Sequence, residues 1–244
     1  MAEPDPSIAQ APAPSGPPLV LVAGLAGSGD WWDAVGPFLA TGLPGRAMAT
    51  DDLPGCGSRG GHRRLQPIVQ AAETLAEEIA AGAAGEDEAG AVDLVGYSLG
   101  GSVCLRVAAT RPELVRRLVL IAPGGVPVAR STLRDLVSMA HMGFLAGPRF
   151  WPTLVRDARR AGARAMLAAA KDVRFDDATA LLPRVGAPTL VLRGDRDTLV
   201  SGTGCERIAA GIPGARLQLL PGIGHTPMAE CPEQLAAAIA AFLR

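Results

Sequence analysis

Val92-Asp93-Leu94-Val95-Gly96-Tyr97-Ser98-Leu99-Gly100-Gly101 is the stretch from which the architecture can be read. The apolar run Val92 to Val95 leads straight into Gly-x-Ser-x-Gly, and a helical pattern from Ser102 to Ala109 follows. A serine at such a strand-to-helix junction sits in strained backbone, and the glycines two residues to either side let the helix pack close. Its hydroxyl then stands above a sheet edge at a helix N-terminus, where the dipole favours developing negative charge. In a chain with 30 glycines the pentapeptide alone could arise by chance. The strand before it and the helix after it carry the inference.

Working outward, similar short runs recur at Leu19 to Ala23, Arg46 to Thr50, Leu118 to Ala122, Thr189 to Leu192 and Arg216 to Leu220. Strands that are apolar on successive residues belong to a sheet covered on both faces. Helical spacings lie between them. Ile68, Ala72, Leu75 and Ile79 recur at threes and fours with Glu73, Glu77 and Glu78 on the wet side; Leu235, Ile239 and Phe242 repeat the pattern after Pro232. Strand and helix alternating with right-handed crossovers predict an α/β fold: a three-layer sandwich with a mostly parallel sheet of about six strands. No internal repeat is present.

The alternation fails once. From Val126 to Pro183 no strand is evident, whereas Leu133, Leu136, Val137 and Ala140, then Leu154, Val155 and Ala158, then Ala165 to Ala170 are spaced as helices. The expected organisation is a core of residues 19–125 and 184–244, interrupted by a small helical cap at 126–183. Residues 1–18, broken repeatedly by proline, read as a flexible or extended N-terminal arm. Met139, Met142, Phe144, Phe150 and Trp151 either line a pocket beneath the cap or simply pack it on the core.

A chain of 244 residues with 48% hydrophobic and 19% charged side chains can bury a sizeable core, which excludes disorder for most of it. Its 23 basic and 24 acidic residues leave a formal net charge of -1, so no overall field draws nucleic acid or an anionic membrane. Small or apolar molecules are the expected partners. Lys171 is the one lysine, a skew that fits GC-rich coding rather than function. Cys56, Cys104, Cys205 and Cys231 lack the paired spacing of a zinc site and are too sparse for a disulfide scaffold; they read as free thiols, with no metal or cofactor expected. Met1 to Pro18 lacks the basic and apolar regions of a signal peptide, and no run approaches the ~20 apolar residues that span a bilayer. The expected location is cytoplasmic.

A serine hydroxyl is a poor nucleophile without a base and a group to orient that base. Of three histidines, His62 lies in a Gly/Arg-rich loop and His141 in the helical insertion. His225 follows the last strand in Gly222-Ile223-Gly224-His225-Thr226-Pro227, where loop glycines free the imidazole to swing over a sheet edge. It is the candidate base. The acid should end the preceding strand, where Gly194-Asp195-Arg196-Asp197 offers two carboxylates.

In these features the chain resembles the α/β-hydrolase-fold superfamily, over nearly everything from Leu19 to Arg244. The resemblance implies Ser98, Asp197 and His225 as the catalytic set in the family's order, with Asp197 as the acid of the G-x-x-D strand ending and Asp195 as a turn residue. Val22-Ala23-Gly24-Leu25-Ala26-Gly27 resembles the family's oxyanion loop, which implies the backbone N–H groups of Leu25 and Leu99 as the oxyanion hole. Ala23 stands where histidine is usual, and Asp52-Leu53-Pro54-Gly55-Cys56-Gly57-Ser58 resembles the loop that shapes the site. The family's fold opens with an antiparallel hairpin, which is not expected here because proline-rich sequence precedes Leu19. The motifs are most similar to those of capped carboxylesterase and thioesterase-like hydrolases, including the methyl-ester-cleaving enzymes of biotin synthesis.

The resemblance implies attack by Ser98 on an ester or thioester of a small, largely apolar substrate, which could include a carrier-bound acyl group. The predicted substrate contacts are Tyr97, Met139, Met142, Phe144 and Trp151, although Tyr97 could equally point into the sheet. The same fold and triad serve lyases, cyclases and acyltransferases acting on polyketide-like metabolites, and slow-turnover binding proteins. The sequence leaves those alternatives and the oligomeric state open.

Overall fold

The computed structural model describes residues 16–57, 65–83, 90–127, 138, 142 and 145–244. The expected helix around Leu133 to Ala140 and most of the N-terminal arm lie outside these residues, as do His62, Met139, His141 and Phe144. Six strands form one sheet: β1 (Leu19–Val22), β2 (Met48–Asp51), β3 (Val92–Tyr97), β4 (Val115–Ile121), β5 (Thr189–Gly194) and β6 (Arg216–Leu220). Their order is β2-β1-β3-β4-β5-β6, and every neighbouring pair is parallel. The chain moves outward from β1 to β2, then crosses back to β3. The direction of winding therefore reverses between β1 and β3, where loops diverge and leave a crevice at the strands' C-terminal ends.

The uninterrupted apolar runs follow from helices on both faces. In β4, Leu118 and Leu120 enter one core while Val119 and Ile121 enter the other, and all four are fully buried. The first core lies under α2 (Ile68–Ala83), α3 (Leu99–Thr110) and α6 (Gly202–Gly211); the second lies under α1 (Gly36–Gly42) and α8 (Pro232–Leu243). Between β4 and β5, α4 (Trp151–Ala161), α5 (Ala163–Phe175) and a 3-10 stretch, Thr179–Arg184, occupy much of the described insertion. A four-residue helix, α7 (Pro227–Glu230), precedes α8.

Three of the elements start elsewhere than expected for a visible physical reason. β2 starts at Met48 instead of Arg46, because Arg46 turns off the strand: its Nε donates to Pro17 O at 2.7 Å and its guanidinium pairs with the fully buried Asp93. β4 starts three residues early, at Val115, and contains Arg116 and Arg117. Their guanidinium groups are accommodated there because they reach Asp93 and the Leu243 carbonyl. α3 begins at Leu99, ahead of Ser102, because packing against the sheet overrides the poor helix propensity of Gly100 and Gly101.

Candidate active site

β3 ends at Tyr97 and α3 begins at Leu99, so Ser98 alone makes the turn. Its φ of 52° and ψ of -114° are positions an L-residue holds only when its surroundings force it. Two hydrogen bonds do so: Ser98 N donates to Ile121 O at 2.9 Å, and Ser102 N to Ser98 O at 3.1 Å. Gly100 permits the turn, since a β-carbon there would fall 2.8 Å from Val22 O and closer still to Ala23 O. The start of α3 thus leans directly on the end of β1, which brings the loop after β1 beside the serine.

His225 reaches the same spot from the far side of the sheet. At Gly194, the last residue of β5, a β-carbon would lie 2.6 Å from the Ile223 carbonyl carbon and nearer still to the oxygens of Ile223 and Gly224. The seam is stitched by Arg196 N to Ile223 O at 2.9 Å and by Gly222 N to Asp195 Oδ1 at 2.7 Å. The loop is clamped from beyond as well. Glu230 accepts from Gly224 N at 2.7 Å, Thr226 N at 3.0 Å and the Thr226 hydroxyl at 2.9 Å, holding the backbone on either side of His225.

Three side chains then stand in series. His225 Nδ1 lies 2.8 Å from Asp197 Oδ2, and His225 Nε2 lies 3.2 Å from Ser98 Oγ. An ionised carboxylate can only accept, so Nδ1 carries the proton and Nε2 is left to accept from the hydroxyl. The other oxygen of Asp197 accepts from Leu199 N at 2.8 Å and Val200 N at 2.9 Å, while Arg193 holds the loop through the carbonyls of Asp197 and Val200. Burial works to raise the Asp197 carboxyl, but the charge and hydrogen bond of His225 and the two amides outweigh it and hold the group below its ordinary value. Chemically, such a series can take a proton from the serine and return it to a leaving group.

The serine and imidazole open onto a cavity of about 230 Å³ with apolar walls that include Trp31, Met142, Leu154, Val173 and Ile208. Leu25 and Leu99 line it beside Ser98. Tyr97 lines it too, yet is only 2% exposed, with its ring between Trp31 at 5.8 Å and His225 at 5.2 Å. Burial, then the charges of Asp197 and Glu230, raise its phenol well above the ordinary value. Trp151 corrects the predicted contact set: it is 51% exposed and does not line the cavity. It lies a turn before Leu154, beyond the rim, and Phe150 takes the inward place with its ring edge-on to Trp31 at 5.1 Å. Met139 and Phe144 lie outside the described residues.

Among the described residues, no three His, Cys, Asp or Glu side chains are grouped so as to hold a metal ion, and no helix is long and apolar enough to cross a membrane. Burial pushes the thiols of Cys56 and Cys205 up to about 12 and that of Cys231 to about 11, so none offers a competing nucleophile. Sequence reasoning missed Glu230 and Asp157. An acid five residues after His225, just past Pro227, was a usable signal for the first. For Asp157, a charged residue in the arginine-rich helix α4, there was none.

The alpha/beta hydrolase family matches residues 19–238. A pimeloyl-[acyl-carrier protein] methyl ester esterase from Nitrosomonas europaea is 27% identical, over 90% of this chain and 93% of its own length. The solved structure of a hydrolase from Pseudomonas aeruginosa is 26% identical with a TM-score of 0.71, covering 95% of this chain and 91% of the other. A thermophilic esterase from Thermogutta terrifontis superposes with a TM-score of 0.69 at 25% identity, covering 95% and 91%.

Proposed function

The chain belongs to the alpha/beta hydrolase family, and from that premise we propose that it hydrolyses a carboxylic ester or thioester of a small, largely apolar substrate through an acyl-enzyme on Ser98. The observation that carries this reading is His225 bridging Ser98 Oγ and Asp197 at hydrogen-bond distances on the wall of an apolar cavity. His225 takes the hydroxyl proton as Ser98 attacks the carbonyl carbon; the alcohol or thiol leaves with that proton, and water repeats the sequence on the acyl-enzyme. The amides of Leu25 and Leu99 receive the oxyanion, each contributing about 3 kcal/mol to the barrier reduction.

The cavity is walled by apolar side chains, which suits an acyl chain. Helices α4 and α5 act as a cap over it, contributing Leu154, Ala158 and Met166 to its lining. The esterase relative acting on an acyl-carrier-protein methyl ester supports both the ester linkage and a carrier-bound acyl group as a candidate. The experiment is a chain-length series of p-nitrophenyl esters and acyl thioesters assayed with the parent and with Ser98→Ala. Turnover should peak at one chain length and fall by at least ~10³-fold in the variant. Ester turnover undiminished in Ser98→Ala overturns the assignment.

A further inference from the structure

Resting on the reading that Leu25 supplies an oxyanion amide, we propose that Asp157 is a positioning residue that ties the cap to the oxyanion loop, so that the two assemble as one unit. Asp157 lies on α4 and is completely buried, an unusual place for a carboxylate. Its Oδ2 accepts from Ser28 Oγ at 2.7 Å and from Trp31 Nε1 at 2.9 Å, groups 129 and 126 residues away in the chain. Its Oδ1 accepts from Arg156 Nε at 2.9 Å, which supplies the counter-charge, and Arg156 Nη2 also donates to Ser28 Oγ at 3.1 Å.

Both partners belong to the segment that carries Leu25. Gly27 N closes a turn onto Gly24 O at 3.0 Å, and Ala26 between them is held at a φ of 62°. The turn rests on the Trp31 indole: a β-carbon at Gly27 would lie 3.1 Å from that ring. Beyond the turn, Gly29 N is fixed to Asp52 Oδ1 at 2.7 Å, so the segment is anchored to the core on one side and to the cap on the other. Loss of the cap anchor frees the indole and the serine together, and with them the strained turn that aims the Leu25 amide. Leu154 and Ala158, flanking Asp157 on the same helix, line the cavity, so the carboxylate that seats the cap also sets the donor.

The test is Asp157→Asn. The amide keeps the shape, but its NH2 must face either the Trp31 indole N–H or the Arg156 guanidinium, donor against donor. Three quantities are measured against the parent: kcat per titrated Ser98, affinity for a trifluoromethyl ketone that forms a tetrahedral adduct with the serine, and affinity for the ether analogue of the same chain, which cannot. The expected result is a loss of about 10- to 100-fold in kcat and in ketone affinity alike, because both depend on the oxyanion donor, with ether binding unchanged within about threefold. Ser28→Ala, which removes only one of the two donors to Oδ2, should show the same pattern at smaller size and serves if Asp157→Asn does not fold. Equal loss of ketone and ether affinity would mean that Asp157 merely supports the cap, and a parent-like kcat would mean that it does neither; each overturns the proposal. A parent that neither hydrolyses esters nor binds the ketone overturns the proposed function itself.

Discussion

Replacing Gly194 with alanine puts a methyl group into the seam between β5 and the His225 loop. Its β-carbon would stand 2.6 Å from the Ile223 carbonyl carbon, whereas ordinary contact begins at 3.4 Å, so the two backbones must part by about 0.8 Å or more. Neither side can yield by rotating a side chain, because the obstructing atoms are main chain and are fastened by Arg196 N and by Glu230. Passed on to the imidazole, that shift takes the His225 to Ser98 separation from 3.2 Å to about 4.0 Å, outside hydrogen-bond reach. Misplacement of about 1 Å costs on the order of 10²-fold in rate, and overpacking of this kind costs about 1–3 kcal/mol of stability. Gly194→Ala should therefore lower kcat by about 30- to 100-fold, measured per titrated serine on a p-nitrophenyl ester, with a lowered Tm. Activity within twofold of the parent at unchanged Tm would refute the claim that this close approach sets the histidine.

Three more predictions can be checked with the same protein. Asp197→Asn should lose about 10⁴-fold in kcat with the cavity intact, because the amide no longer holds Nδ1 as the donor; a loss below tenfold contradicts that role. Because the folded-state pKa of Asp197 is lowered, its stabilising contribution is complete above the unfolded carboxylate's value of about 3.9 and is lost as pH falls through the lower folded value. The Tm advantage of the parent over Asp197→Asn should accordingly hold steady above about pH 5 and shrink as the pH falls below about 4, and a gap that stays constant in that acid range would show the sign to be wrong. Iodoacetamide at neutral pH should leave ester hydrolysis intact, since Cys56 and Cys205 are pushed up to about 12 and hold little thiolate; stoichiometric inactivation would contradict it.

The parts of the fold that were legible in the sequence are those where burial acts on both sides of the chain. β3, β4 and β5 are buried almost throughout, and hydrophobicity alone located them. β2 is an edge strand with mostly exposed residues, so its apolar signal was weak and its start was placed two residues early. In α4 the periodicity misled: Val155, counted in the apolar stripe, is 45% exposed, while Asp157, which reads as solvated, is fully buried. Burial of that kind depends on Ser28 and Trp31, more than a hundred residues away, and no local pattern encodes it. Ser98 and His225 were legible because strand-turn-helix and glycine-loop contexts are local. The Glu230 clamp and the Gly194 seam were not, because they exist only once β5 and the last loop have met.

The most direct measurement is the mass of the peptide containing Ser98 after rapid acid quench of the protein during turnover of a slow ester of the preferred chain length. Acyl transfer through Ser98 predicts that this peptide gains the mass of the acyl group in stoichiometric amount, and that the gain vanishes in Ser98→Ala together with turnover. Turnover with no adduct, or an adduct on any other side chain, would contradict it.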